Sequence, residues 1–226
     1  MPDRSLPFRL KVRRREWLAG TKLGPLILNR YPFAFEPSQL HFIADTVSET
    51  AGLDGAMLEV GCNTGAGTVY IKRHMKDVGI ARHYYCIDTF TGFTPEDIAV
   101  ERGRGKTWAY SDFDYNSKRL FELTLAANRA DADTTVIQAD AATFDYSGLP
   151  PLAFALLDVD LFRPMAAALA GTWPRMVPGG IIIVDDCDAN TDKWDGGSAA
   201  YLEFCEREGL TPDVRLTKLG VLRKPL

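Results

Sequence analysis

The chain has 226 residues, 46% apolar and 25% charged, with a formal net charge of −4, a profile that excludes disordered and fibrous classes. Its apolar stretches fall short of the roughly 18 residues that span a bilayer, and the N-terminus lacks the apolar core of a signal peptide, so a cytoplasmic protein without a membrane partner is expected. Cys62, Cys86, Cys187 and Cys205 form no CxxC pair, which points to free thiols rather than zinc.

Charge is unevenly spread. Residues 1–30 hold eight Lys and Arg against Asp3 and Glu16. No nucleic-acid motif accompanies this basic arm, so nucleic acid is not an expected partner. Residues 1–36, with Pro25 and Pro32, read as an extension for oligomer or substrate contacts, a dimer being expected. Residues 37–226 read as one domain.

From Pro37 helices and strands alternate. Helices are expected at Pro37 to Thr50, Gly65 to Lys76, Asn116 to Asn128, Pro164 to Met176 and Gly197 to Glu208. Strands are expected at Ala56 to Val60, His83 to Ile87, Thr134 to Gln138, Ala153 to Leu157 and Gly180 to Val184. Asp213 to Thr217 and Gly220 to Arg223 read as a terminal hairpin. The alternation predicts an α/β, doubly wound, mostly parallel sheet with an antiparallel C-terminal hairpin strand. Residues 93–114 break the rhythm and read as a loop or lid, with Trp108, Tyr110, Phe113 and Tyr115 as candidates for lining an acceptor pocket.

The chemistry gathers at strand ends. The first strand runs into Glu59-Val60-Gly61-Cys62-Asn63-Thr64-Gly65, a tight turn that lets backbone approach a ligand. It is not the dinucleotide fingerprint GxGxxG, because Asn63 and Ala66 stand where glycines are required. The second strand ends in Asp88, placed to accept from a ribose diol. The third ends in Gln138-Ala139-Asp140. Together these point to a nucleoside-containing cofactor. The fourth and fifth strands close with Leu157-Asp158-Val159-Asp160 and Val184-Asp185-Asp186. Carboxylates this close repel unless a cation sits between them, and a hard divalent ion suits oxygen donors. Asp185 and Asp186, being adjacent, reach one ion only if the strand breaks between them. Asp188, Asp192 and Asp195 read as ordinary loop acids, and His41, His74 and His83 as packing or surface residues.

Glu59 to Gly65 resembles motif I of the class I S-adenosylmethionine-dependent methyltransferases. Asp88-Thr89-Phe90-Thr91-Gly92-Phe93, Leu157-Asp158-Val159-Asp160-Leu161-Phe162 and Pro178 to Asp186 resemble segments of the macrocin O-methyltransferase family. The resemblance implies a Rossmann-like methyltransferase sheet that uses S-adenosyl-L-methionine and Mg²⁺. It implies cofactor contacts among Glu59, Gly61, Asn63, Gly65, Asp88, Thr89, Asp140 and Ala141. Asp158, Asp185 and Asp186 would bind the metal, and Asp160 would be the general base. The implied reaction methylates a hydroxyl of a vicinal diol on a small-molecule or oligosaccharide acceptor, most naturally a sugar. Phe162 and Arg163-Pro164 depart from the family pattern. A catechol-type O-methyltransferase and a non-catalytic cofactor-binding subunit are the alternatives.

Overall fold

The structure is a computed structural model that describes residues 35–111, 113, 116–188 and 190–226, together with residues 10, 13, 14, 17, 18 and 21. The chain divides into two units, 1–34 and 35–226. The basic arm thus falls almost wholly outside the described residues, as does Tyr115.

In the second unit the helices are α1 (Pro37–Glu49), α2 (Ala66–Asp77), α3 (Pro95–Gly103), α4 (Lys118–Ala127), α5 (Phe162–Thr172) and α6 (Asp195–Glu208). The strands are β1 (Ala56–Val60), β2 (Tyr84–Asp88), β3 (Thr134–Gln138), β4 (Leu152–Leu157), β5 (Met176–Val184), β6 (Val214–Arg215) and β7 (Leu219–Arg223). Among the described residues no helix is long and apolar enough to cross a membrane.

The strands form one seven-stranded sheet in the order β3-β2-β1-β4-β5-β7-β6. β1 to β5 run parallel, and the terminal hairpin adds β7 antiparallel to β5. Every residue of β1 and β4 is buried, as expected for central parallel strands covered on both faces. Met165, Ala168 and Leu169 of α5 and Tyr201 and Phe204 of α6 share one apolar core with Ala155, Leu157 and Ile182 of the sheet. Strand order reverses between β1 and β4, which places a crevice at their carboxyl ends.

Three elements differ from expectation. The stretch 93–114 contains α3, whose N-terminus is capped by the Thr94 hydroxyl accepting from Asp97 N–H at 3.1 Å. α5 begins at Phe162 and stops at Thr172, where the Trp173–Arg175 3₁₀ turn takes over at Pro174. β5 begins at Met176, and its register against β4 shifts between Leu152 and Phe154 to absorb Pro178-Gly179.

Candidate functional site

Register builds the site. Val60 lies opposite Leu157, and Leu157 opposite Val184. The glycine turn and both acidic clusters therefore leave the sheet side by side. Asp158 N–H donates to the Val60 carbonyl and Asp185 N–H to the Leu157 carbonyl, each at 2.8 Å. Gly61 is at φ +88°, and a Cβ there would lie 1.7 Å from the Asp158 carbonyl oxygen. Only glycine lets the two strand ends approach so closely.

The turn is held from beneath. Asp88 Oδ2 accepts from Cys62 N–H and Asn63 N–H, both at 2.8 Å, and Oδ1 accepts from Phe90 N–H at 2.6 Å. A carboxylate offers about four lone-pair sites, so the loop itself occupies most of a side chain expected to meet a ribose. Burial raises the Asp88 pKa, with the three backbone donors opposing. Glu59 lies deeper still. Its Oε2 accepts from Thr68 Oγ1 at 2.7 Å and from Tyr84 OH at 2.9 Å, and burial pushes its pKa up to about 7. Glu59 thus staples α2 to β2 under the turn. Gly65 caps α2 at φ +90° with Phe121 3.1 Å from its missing Cβ.

Other expected cofactor residues line the same edge. Asn63 stands at φ +45°, and its buried Oδ1 has no partner among the described residues. Thr89 Oγ1 donates to the Gly92 carbonyl at 2.6 Å, closing the turn after β2. Asp140 Oδ1 accepts from Ala142 N–H at 2.8 Å, and the buried Ala141 offers its carbonyl to Tyr146 OH at 3.0 Å.

Carboxylate oxygens of Asp158, Asp160 and Asp186 lie within 4.8 Å of one another. β4 has ended by Asp158, and a turn with Asp160 at φ +57° swings that side chain back to its neighbours. Asp186, at φ +58°, supplies the strand break between the adjacent aspartates. Left-handed backbone at non-glycine residues costs of order 1 kcal/mol each and collects at functional sites. Gly197 N–H holds the Asp160 carbonyl at 3.0 Å. Burial first, then neighbouring carboxylates, raises the pKa of Asp158 and Asp160 well above the ordinary range.

Asp185 does not join the three. Its Oδ2 binds Lys218 Nζ at 2.7 Å, and Lys218 also lies 3.7 Å from Asp186 Oδ1 and over the Phe35 ring. Burial and Asp186 nonetheless push the Asp185 pKa up to about 6 against the ammonium. Sequence reasoning does not single out Lys218. The available signal is its place in the turn before β7, the strand that pairs Gly220 with Val184.

An aromatic cluster joins the stretch after β2 to the residue before α6. Trp194 has ring centroids of Phe93, Tyr110 and Phe113 at 6.0, 6.1 and 6.2 Å. Lys106 fastens it, with Asp192 and Asp195 each 2.8 Å from its Nζ. Asp192 in the loop and Asp195, which proves to be the first residue of α6 rather than a loop acid, therefore have a structural task. Trp108 faces outward and donates to Asp192 at 3.1 Å.

A family model described as a methyltransferase domain matches residues 58–187, more than half of the chain. Among solved structures, the O-methyltransferase NovP superposes with a TM-score of 0.68 at 16% identity, covering 83% of this chain and 80% of that one. CalS11, a calicheamicin methyltransferase, gives 0.67 at 17% identity, covering 98% and 94%. A putative caffeoyl-CoA O-methyltransferase from Staphylococcus aureus gives 0.59 at 12%, covering 96% and 98%. At these identities the likeness is one of fold. No curated protein matches the sequence.

Proposed function

The chain belongs to the methyltransferase domain family, and from that premise we propose that it moves a methyl group from S-adenosylmethionine to a hydroxyl of a vicinal diol, on a sugar of a small molecule or oligosaccharide, with a divalent cation of the Mg²⁺ type. The observation that carries the reading is the convergence of Asp158, Asp160 and Asp186 within 4.8 Å beside the glycine turn. NovP is an O-methyltransferase and CalS11 a TDP-rhamnose 3'-O-methyltransferase, and both support an oxygen acceptor.

The residues fit both groups. Among the described residues, the ammonium of Lys218 opposes four aspartates, Asp158, Asp160, Asp185 and Asp186. An all-oxygen donor set under that charge imbalance suits a hard divalent ion, and Mg²⁺ is commonly held by one or two carboxylates with substrate and water completing its shell. Asp158 and Asp186 would be those two carboxylates. When bound, the cation supplies Lewis-acid polarisation that lowers the pKa of a hydroxyl. On the cofactor side, the orphan Asn63 Oδ1 is an acceptor suited to the ammonium of the methionine moiety, and the crevice at the switch point suits its nucleoside.

Asp160, grouped with both other acids, takes the hydroxyl proton. A carboxylate placed beside the cation-bound hydroxyl is positioned to serve as general base. Asp185 anchors Lys218 and so fixes the chain at Asp186. The backbone of the glycine turn and the carbonyl of Asp158 hold donor and acceptor sites in register, which is the main requirement for an in-line displacement. Incubating the protein with methyl-labelled S-adenosylmethionine and a panel of glycosides and catechols tests the reading. Label should enter a glycoside diol, stop with EDTA and resume with Mg²⁺. Transfer that ignores EDTA, or that reaches catechols alone, would contradict it.

A further inference from the structure

Two acids of α3 reach across to the start of α5. Asp97 Oδ1 accepts from Arg163 Nη1 at 2.6 Å, and one turn later Glu101 Oε1 accepts from Phe162 N–H at 2.8 Å. Spaced i, i+4, they share one helix face, and they are 3% and 0% exposed. The fit leaves no spare room: a Cβ on Gly196 of α6 would lie 2.5 Å from Phe162 N and 2.7 Å from Glu101 Oε1. The Arg104 guanidinium covers the Phe162 ring from the far side at 4.8 Å. α3 is thus pinned to the residues that directly follow the Asp158–Asp160 turn.

Arg163 has a second partner. Its Nη1 and Nη2 both lie 3.3 Å from Asp140 Oδ2, beyond the end of β3. One guanidinium therefore joins α3 to the strand end expected to meet the cofactor. The two attachments are unequal. Both are charge-assisted, but the bond to Asp97 is short, whereas the pair to Asp140 lies at the long end of hydrogen bonding. A donor arriving at Asp140 Oδ2 competes with the long pair and leaves the short bond alone.

We propose that Arg163 is a positioning residue that couples occupancy of Asp140 to the placement of α3. An amino donor from the adenine of the cofactor takes Asp140 Oδ2. The guanidinium then serves Asp97 alone and holds α3 more firmly against the start of α5. This inference rests on the cofactor reading of Asp140 given above. It assigns a task to one of the residues at which the chain departs from the family it resembles.

The test uses S-adenosylhomocysteine as the probe, with hydrogen exchange of the α3 amides and calorimetric binding as readouts. In the wild-type protein the probe should slow α3 exchange about fivefold or more, the usual scale of coupling between sites. In Arg163→Gln the probe should still bind, and the slowing should vanish. Coupling is reciprocal, so Asp97→Asn, which leaves Arg163 leaning on Asp140, should weaken probe binding severalfold although Asp97 belongs to α3. Circular dichroism confirms folding of each variant, and either variant alone suffices. Equal slowing in Arg163→Gln, or unchanged affinity in Asp97→Asn, would overturn the coupling. A wild-type protein that binds no S-adenosylhomocysteine would overturn the cofactor reading and the coupling with it.

Discussion

Lys218 Nζ lies 2.7 Å from Asp185 Oδ2, and this pair separates two adjacent aspartates into two tasks. Asp185 is 2% exposed and faces a cation supplied by the protein, while Asp186 turns away at φ +58° toward Asp158 and Asp160. Removing one member of a buried pair strands the other, typically at a cost of about 3–5 kcal/mol. Lys218→Met should therefore lower the unfolding free energy by about 3 kcal/mol. In the Asp185→Asn background the same change should cost far less. A double-mutant cycle by denaturant unfolding with a coupling below about 0.5 kcal/mol would show the pair to be incidental.

Gly61→Ala should be among the most damaging small substitutions in the chain. Its Cβ would meet the Asp158 carbonyl oxygen at 1.7 Å in backbone already at φ +88°. Neither strand end can retreat without breaking the β1–β4 register. A loss of at least about 3 kcal/mol is expected, along with loss of S-adenosylhomocysteine binding. Gly52→Ala, with nothing within 4 Å of the new Cβ, should leave stability unchanged within about 0.5 kcal/mol or slightly improved. Thermal melts of the two variants provide the comparison.

Glu59 makes stability depend on pH. Its folded pKa, about 7, lies above the ordinary 4.5, so between those values the folded state holds the extra proton. The stability this brings is complete below about pH 4.5 and is lost as pH rises through 7. The difference corresponds to about 3 kcal/mol. Glu59→Gln keeps an acceptor for Thr68 and Tyr84 and cannot ionise, so its unfolding free energy should lack that decline between about pH 5 and pH 8. Parallel slopes for variant and wild type would show that Glu59 is ionised throughout.

Much of this architecture is legible in the chain because β4 and the second half of β5 are short apolar runs followed directly by aspartates that cannot be buried unpaired. β3 agrees with its expected span to the residue, and both acidic clusters stand at strand ends as expected. What depends on register is less visible. That Asp160 joins Asp158 and Asp186 follows from a left-handed turn, and that Lys218 answers Asp185 follows from the β5–β7 pairing; neither leaves a local pattern. Asp88 looks free for a ligand in the sequence because two of its partners, Cys62 N–H and Asn63 N–H, belong to another strand's loop. α3 escapes a reading by periodicity because it is short, polar and followed by Gly105, although Thr94-Pro95-Glu96-Asp97 carries the marks of a capped helix start.

Asp160→Asn should separate chemistry from binding. If Asp158 and Asp186 hold the cation and Asp160 takes the proton, the variant should bind S-adenosylhomocysteine as the wild type does while methyl transfer falls by at least about 100-fold. In EDTA its melting temperature should rise by a few degrees, because one of several mutually repelling half-buried carboxylates has been neutralised, about 2–4 °C per kcal/mol for a chain of this size. Turnover near the wild-type level would remove Asp160 from the mechanism.

The proposed chemistry stands or falls with a divalent-cation site formed by Asp158 and Asp186 beside the cofactor, with Asp185 kept for Lys218. Calorimetric titration of MgCl₂ into protein saturated with S-adenosylhomocysteine decides it. One saturable site is predicted in the wild type, lost in Asp158→Asn and in Asp186→Asn and retained within about tenfold in Asp185→Asn. No saturable binding by the wild type, or undiminished binding by Asp158→Asn, would contradict it.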